Sequence, residues 1–280
     1  MPGLRLGRVL YEYRTEVKVK IMWAIYEELI AAVPPDLKVQ ECLVGLHWIL
    51  VRSRATGVAM TPLEGHPRVG LAGKIEGMPV RELAEYLKSW NNLEAALGLA
   101  AINSVFNAPE RVEELCGRPL SSQPQVDAFT YFQEQVRGKK VTVVGHFPNL
   151  EPLTRNCRLA VLERRPREGD LPDSACEYIL PEQEYVFITA TTLINKTLPR
   201  LLELSRQARV VLLGPSTPMT PLLFRYGIDT LAGTVIVDPG NVWRVVREGG
   251  CQEIFQYGGR MVQVTREMVN GGEDSRPEAL

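Results

Sequence analysis

The sequence contains few of the residues from which metal sites and disulfide frameworks are built. Its 280 residues include three histidines and five cysteines, and no two cysteines form a C-x-x-C pair. An odd number of scattered cysteines argues against a disulfide framework and against a zinc knuckle. This cysteine usage is typical of free thiols in a reducing compartment, so we expect a cytoplasmic protein.

Strong net charge and long apolar runs are also missing. The formal net charge is −1, so the chain has no overall field that would recruit nucleic acid or an anionic membrane. No apolar run reaches the roughly 18 residues of a transmembrane helix, and we expect neither such a helix nor a signal peptide. Hydrophobic residues make up 45% of the chain, which is enough to build buried cores.

The first part of the chain has the pattern of a small α+β domain, which we assign to residues 1–120. Its periodicity predicts helices over 11–33, 80–90 and 92–106, and a β-hairpin over 40–61. Asn91 and Glu94 have the spacing of a capping box, which indicates the start of the last of these helices. A turn-rich polar segment over 116–125 then indicates the domain boundary.

The second part, residues 121–270, alternates short β-branched runs with helical segments. The runs predict strands over 139–145, 158–163, 184–190, 209–214 and 234–239, and the clearest helices over 197–208 and 221–227. This alternation indicates a mostly parallel α/β sheet with helices on both faces. The polar tail, residues 271–280, predicts disorder.

Ligands of an open parallel sheet bind at the carboxyl ends of the strands, so the loops there are the places to search. The first loop reads Gly145-His146-Phe147-Pro148-Asn149. A dinucleotide turn needs several glycines near the pyrophosphate, but this loop has one glycine, and its proline removes an amide donor. We predict that Gly145 and His146 contact a ligand, with His146 as metal ligand, acid or base. The alternative is a histidine that only fixes the turn.

Glu163 ends the next strand, 18 residues after Gly145. Dinucleotide folds carry a ribose-binding acid at about this distance, so Glu163 is a second candidate ligand-binding residue. The alternative is a charged surface turn, since three arginines follow closely.

The loop after the third strand contains a cluster of polar residues: Thr191, Thr192, Asn195 and Lys196. Hydroxyls, an amide and an ammonium beside a helix N-terminus suit an anionic or polar ligand. A capped helix start, with Thr197 as the cap, accounts for one threonine and not for the whole cluster.

Two further loops supply the remaining candidates. Gly214, Ser216 and Thr217 lie in a strand-glycine-polar loop-helix arrangement typical of a phosphate cradle. Three prolines remove donors there and the G-K-[ST] signature is missing, so an ATPase is not indicated, and we predict a rigid wall. Asp238 ends the last predicted strand, where it is either a turn former or a pocket carboxylate.

Several of these segments, in this order, resemble the C-terminal domain of the heavy-metal chelation family: VVGHFPNL (143–150), GDLPDSACEYILP (169–181), TTLINKTL (191–198) and residues 212–239. Upstream, VGLAGKIEG (69–77) and SWNNLEAALGLAAINS (89–104) resemble the N-terminal domain that accompanies it. The resemblance covers residues 12–265. It implies an enolase-N-terminal-like domain packed on a Rossmann-like domain, with a ligand cleft between them.

A transition-metal ion or a metal complex is the ligand that this resemblance implies. Soft metals prefer thiolate and imidazole ligands, and the sequence has no local cluster of either. A protein-only site would have to combine distant residues: His146, Glu163, Asp173 and Cys176. A metal held by an organic ligand needs fewer protein donors.

Two other functions stay open at this point. An enzyme with a nucleotide or S-adenosyl-type cofactor would bind ribose through Glu163 and use His146 in acid/base chemistry. A non-enzymatic assembly subunit would instead have an apolar interface and a filled cleft. The expected partner is a small molecule or metal, without nucleic acid or membrane, and a homo-oligomer is compatible with the sequence.

Overall fold

The computed structural model of the chain describes residues 23–63, 69–269 and 271. The predicted helix start over 11–22 and nearly all of the predicted disordered tail lie outside the described residues. Within them, no helix combines the length and apolar character needed to cross a membrane.

The first part of the structure combines helices with a small antiparallel sheet. Residues 23–31 are helical (α1), followed by β1 (Glu41–Val44), β2 (Trp48–Arg52), β3 (Thr56–Met60), α2 (Val80–Glu85), α3 (Asn92–Phe106) and α4 (Pro109–Cys116). The three strands pair in the order β1-β2-β3, so the predicted hairpin is part of a meander.

Helix α3 lies at the centre of the molecule. Its predicted cap is confirmed, because the Asn91 side chain accepts the Leu93 N–H at 3.0 Å. Glu94 does not complete the capping box, since its carboxylate instead accepts the Ser89 hydroxyl at 2.7 Å. From Ala95 to Phe106 every residue is buried, as expected of a helix that is apolar on all sides.

The second part forms a seven-stranded sheet. Its strands are β4 (Lys140–Val144), β5 (Arg158–Glu163), β6 (Leu171–Pro172), β7 (Tyr185–Thr189), β8 (Arg209–Leu213), β9 (Thr230–Ile236) and β10 (Gly259–Thr265). Its helices are α5 (Ala128–Phe132), α6 (Glu151–Thr154), α7 (Cys176–Ile179), α8 (Thr191–Ile194), α9 (Leu198–Leu204), α10 (Pro239–Arg247) and α11 (Arg266–Val269). The predicted helix over 221–227 is a 3-10 helix, Pro221–Tyr226.

The strand order of this sheet is β10-β9-β8-β7-β4-β5-β6, and all pairs are parallel except β9 with β10. Counted from β4, the first six strands follow the order 3-2-1-4-5-6 of doubly wound nucleotide-binding sheets. The chain first moves from β4 to β5 and β6, then returns to the other side of β4 with β7. A crevice is expected between β4 and β7, where the direction reverses.

Helices cover both faces of the sheet, as the sequence predicts. On β7, Phe187 packs into a cluster with helices α5 and α6, while Val186 and Ile188 face the opposite core with α8, α9 and α3. Successive side chains of a strand point to opposite faces, so both faces of the central strands are apolar. The predicted fold class is confirmed: a small α+β unit precedes a mostly parallel sheet flanked by helices.

Sequence patterns missed several elements at the end of the chain, notably β10, α10 and the first half of β9. Ala232 and Gly233 lie in β9 and are weak strand formers, but tertiary packing buries the whole strand and overrides their propensity. One core cluster contains residues of both parts of the chain. The domain boundary near residue 120 therefore stays a prediction.

Two glycines allow helix α3 to approach its neighbours closely. A Cβ on Gly57 of β3 would lie 2.1 Å from the Ala100 carbonyl oxygen, and one on Gly98 would lie 2.3 Å from the Leu87 nitrogen. Both obstacles are backbone atoms, which cannot move aside as a flexible side chain does.

Gly57→Ala is expected to reduce the free energy of unfolding by about 3 kcal/mol, because the new methyl group forces β3 away from α3. Urea unfolding followed by circular dichroism measures this change. Gly70→Ala is the matched control, since its Cβ would meet only a Glu94 carboxylate oxygen at 3.5 Å. A Gly57 variant as stable as this control would contradict the close packing of α3.

Candidate functional site

A cleft of about 600 Å³ opens at the carboxyl ends of the central strands. Gly145, Glu163 and Thr189, which end or follow β4, β5 and β7, line its floor. The first part of the chain contributes a further wall, including Met60, Leu63 and Asn92. The cleft thus lies at the reversal of strand order and beside the junction of the two parts.

Eight of the residues singled out in the sequence line this cleft: Gly145, Glu163, Asp173, Cys176, Thr191, Thr192, Asn195 and Lys196. The remaining five are His146, Gly214, Ser216, Thr217 and Asp238, and they are not part of the described cleft wall. Three basic residues of the cleft wall were missed in the sequence, since Arg164 and Arg165 looked like surface residues and Arg200 lay inside a predicted helix.

Gly145 and Glu163 shape the floor of the cleft. Gly145 has φ +105°, and a Cβ there would lie 3.0 Å from Thr189 Cγ2, so the turn requires glycine. The Glu163 carboxylate accepts the His146 N–H at 2.8 Å and the Arg165 N–H at 3.1 Å. It thereby ties the loops after β4 and β5 together. An ionised carboxylate has about four acceptor positions, so capacity for a ligand remains.

His146 is paired with Asp170, a residue that follows it by 24 positions. The His146 Nδ1 lies 2.9 Å from Asp170 Oδ2, and the aspartate also accepts the Arg167 N–H at 2.9 Å. A carboxylate at Nδ1 favours the Nδ1–H tautomer and leaves Nε2 as the acceptor or ligand atom. His146 has no partner in the adjacent sequence, because it meets Asp170 only when β6 pairs with β5.

The threonines and the asparagine of the 191–196 loop are held by local bonds. Thr192 is buried, and its hydroxyl donates to the Thr189 carbonyl at 2.6 Å. Asn195 Oδ1 accepts the N–H and the hydroxyl of Thr197 at 3.1 and 2.6 Å. Thr197 holds the N-cap position of α9, as predicted, but its side chain makes no capping hydrogen bond. Thr191 is on the cleft wall, and its Oγ1 lies 3.0 Å from the Oγ1 of Thr189.

Lys196 is the most unusual residue of the cleft. It is 7% exposed and has φ +65°, the only positive φ of a non-glycine residue in the described chain. Its Nζ donates to the Ile194 carbonyl at 2.6 Å and to the Ser89 carbonyl, and it lies 5.7 Å from the Trp90 ring centroid. Burial lowers the pKa of Lys196 from 10.5 to about 8. Strained backbone and a perturbed pKa in a cleft are features that cluster at functional sites.

The loop that contains Ser216 and Thr217 is built into the junction between the two parts. Both residues are buried, and the Ser216 hydroxyl accepts the Met60 N–H at 2.9 Å. The Asn103 amide donates to the carbonyls of Val58 and Ser216 at 2.8 and 2.9 Å. The loop therefore faces helix α3, and the hydroxyl and carbonyl of Ser216 are both bonded to residues of the first part of the chain.

Asn107 completes this junction. Its amide donates to the carbonyls of Thr217 and Thr234 at 2.9 and 3.1 Å, and its oxygen accepts the Met219 N–H at 2.9 Å. A buried amide with all these bonds formed fixes the loop against α3 and β9.

Asp238 caps helix α10. Its carboxylate accepts the backbone N–H and the side-chain amide of Asn241, at 3.0 and 2.7 Å. These bonds lower the pKa of Asp238, and the residue is exposed outside the cleft. The sequence offered a turn former or a pocket carboxylate for Asp238, and its contacts in the structure are those of a helix cap, which the sequence did not predict.

The described residues do not offer a protein-only metal site. No three His, Cys, Asp or Glu side chains within 23–63, 69–269 and 271 are grouped so that they could hold an ion. His146, Glu163, Asp173 and Cys176 therefore do not form a shared ligand set. Burial raises the pKa of all five cysteine thiols, which disfavours the thiolates that soft metals bind.

Comparison with known proteins identifies relatives along most of the chain. Residues 127–265 match the family DUF364 and residues 26–106 match DUF4213, both described as "Putative heavy-metal chelation". An uncharacterized protein of Methanocaldococcus jannaschii is 31% identical over 207 residues, which cover 68% of this chain and 75% of that protein. The chain belongs to the DUF364 family.

Two solved structures of DUF364 proteins of unknown function share the fold. The one from Desulfitobacterium hafniense is 40% identical with a TM-score of 0.80, and the match covers 87% of this chain and 98% of that one. The one from Pyrococcus horikoshii is 24% identical with a TM-score of 0.71, covering 88% and 99%. The resemblance seen in the sequence is thus confirmed, and the family carries a metal-related description without an assigned reaction.

Asn107→Ala is expected to lower the free energy of unfolding by about 3 kcal/mol, because it leaves two carbonyls and one N–H of the junction unsatisfied in a buried position. Urea unfolding measures the loss. Asn149→Ala, an exposed amide, serves as the control and is expected to change stability by less than about 0.5 kcal/mol. Equal effects of the two substitutions would contradict the role given to Asn107.

The burial of Lys196 predicts a stability that rises in alkaline solution. Between pH 8 and 10.5 the unfolded chain keeps a proton that the folded chain has released, so the folded state gains stability as the pH rises. Relative to Lys196→Met, we expect wild-type stability to increase by about 1–2 kcal/mol, allowing for partial solvation of the ammonium. Urea unfolding of both proteins at pH 7 and pH 10 checks this difference, and a constant difference would argue against the lowered pKa.

Proposed function

We propose that this protein binds a heavy metal as a complex with an organic anion, in the cleft at the carboxyl ends of β4, β5 and β7. The observation that carries the proposal is a cleft wall with four basic side chains and no grouped metal ligands among the described residues. The metal must then bring most of its own ligands, and the protein recognises the complex through its anionic surface.

The charges on the cleft wall favour an anion. The basic side chains are Arg164, Arg165, Lys196 and Arg200. Arg164 pairs with Asp173, and Arg200 pairs with Glu177 and Glu203, which are not part of the described cleft wall. The two carboxylates are already engaged, since Glu163 accepts two backbone N–H groups and Asp173 pairs with Arg164 at 3.4 Å. An anionic chelator would therefore meet mostly donors, and guanidinium groups match carboxylates in geometry.

The side chains of the cleft wall also favour a metal complex over a bare metal ion as the ligand. Soft metals need thiolate or imidazole ligands. Cys176 is the one cysteine of the described cleft wall, and burial raises its pKa. His146 presents Nε2 from a ring oriented by Asp170, which suits at most one direct bond to a metal.

Thermal unfolding of protein without a His-tag tests the proposal. The probes are Ni²⁺ and Co²⁺ as free ions, citrate alone, and the two metal citrates. We expect stabilisation by the complexes, approaching about 2.7 kcal/mol at a hundredfold excess over Kd, and little by the free ions. Stabilisation by free ions equal to that by the complexes, or none by any probe, would refute it.

Lys196→Met should weaken binding of the metal citrates about tenfold or more, because it removes a buried donor from the cleft. Lys74→Met is the matched control, since Lys74 is an exposed lysine outside the described cleft wall. Isothermal titration calorimetry compares the two variants with wild type. His146 follows Gly145 of the cleft floor and is the proposed single ligand to the metal, so His146→Ala is also expected to weaken binding while the thermal unfolding of the free protein stays near that of wild type.

A second candidate function is an enzyme with a nucleotide or S-adenosyl-type cofactor. The strand order 3-2-1-4-5-6 and Glu163 at the end of β5 favour it, since ribose-binding acids occupy this place in doubly wound folds. Thermal unfolding with a panel of nucleotides and S-adenosylmethionine distinguishes it from the first candidate. The assembly-subunit and homo-oligomer alternatives stay predictions that the molar mass in solution tests.

A further inference from the structure

Recognition of an anionic ligand does not by itself explain why Lys196 is buried and has a positive φ. A buried lysine normally pairs with a carboxylate, because an unpaired buried charge is costly. As far as the described residues extend, the Nζ of Lys196 contacts two backbone carbonyls and an aromatic ring instead. The residue also keeps a strained φ of +65°, which glycine would adopt without cost. The fold therefore places an amine at this point of the cleft although both the burial of its charge and the positive φ cost free energy.

The two carbonyl contacts fit a neutral amine as well as an ammonium. A neutral amine has two N–H groups, and these satisfy the carbonyls of Ser89 and Ile194. The third tetrahedral position on Nζ then carries the lone pair. Lys196 is 7% exposed and lines the cleft, and a carbonyl compound bound there would have to meet this third position.

We infer that Lys196 is a nucleophile that forms an imine with a small aldehyde or ketone carrying a carboxylate or phosphate group. The carbonyl group would approach Nζ from the cleft. Its anionic group would be recognised by the basic wall, which includes Arg164 and Arg165, and by the hydroxyl of Thr191. Desolvated lysines are the usual source of such amine nucleophiles.

The reaction balances without an oxidant or reductant. The Nζ lone pair attacks the carbonyl carbon, a C–N bond forms and the carbonyl oxygen takes up a proton as a carbinolamine. This hydroxyl then leaves as water with the second amine hydrogen, and a C=N bond replaces the C=O bond. The pKa of about 8 keeps an appreciable share of Lys196 in the neutral, reactive form near neutral pH.

The test is reductive trapping on the wild-type protein. Glyoxylate is the probe, sodium cyanoborohydride reduces any imine to a stable amine, and peptide mass mapping follows all eight lysines. We expect Lys196 to be labelled at least tenfold faster than exposed Lys74. Glyoxylate should also label Lys196 at least tenfold faster than acetaldehyde does, because acetaldehyde lacks the anionic group.

Two variants define the label further. Lys196→Arg keeps a cation but cannot form the imine, so the fast label should disappear, while Lys74→Arg should retain it. Labelling of Lys196 no faster than of Lys74 would overturn the inference, and equal rates with acetaldehyde would overturn the anionic substrate class. Mapping of the wild-type protein decides the matter even where a variant folds poorly. The inference rests on the cleft of the proposed function, but imine formation needs no metal. Reductive trapping with glyoxylate can therefore fail while the metal citrates bind, and the reverse is also possible.

Discussion

Two buried amides, those of Asn103 and Asn107, hold helix α3 against the loop after β8. The rest of the molecule depends on this junction, because it joins the small antiparallel sheet to the large parallel one. It also brings Met60 to the rim of the cleft, through the N–H that Ser216 accepts. Without the junction the carboxyl edge of the sheet would be an open surface, and the cleft would lack one of its walls. Polar groups buried at the junction thus help to define the shape of the cleft.

The fold was largely accessible from the sequence. Apolar β-branched runs separated by helices require a parallel sheet covered on both faces, and the alternation of Val186, Phe187 and Ile188 between two cores shows why. The elements that the sequence patterns did not predict were those whose residues have a weak local propensity for the structure they adopt in the fold. Ala232 and Gly233 lie in a fully buried strand because its neighbours on both sides need a partner, which no local pattern encodes.

The candidate site was accessible only in part. The rule that ligands bind at the carboxyl ends of strands directed attention to Gly145, Glu163 and Lys196, which all line the cleft, and their contact with a ligand stays a prediction. It failed for Ser216, since the same rule does not distinguish a loop that faces the cleft from one that faces another helix. The partner of His146 is Asp170, and their pairing depends on the two-residue strand β6, which has no recognisable signal in the sequence.

The contact between Lys196 and Trp90 has a spectroscopic consequence. The indole of Trp90 is 75% exposed, and the ammonium of Lys196 lies 5.7 Å from its ring centroid. A cation at this distance interacts with the π system of an indole, so we expect the emission of Trp90 to change with the charge at the end of that side chain. The fluorescence of Trp90, one of the four tryptophans of the protein, would then report a change in the charge of Lys196.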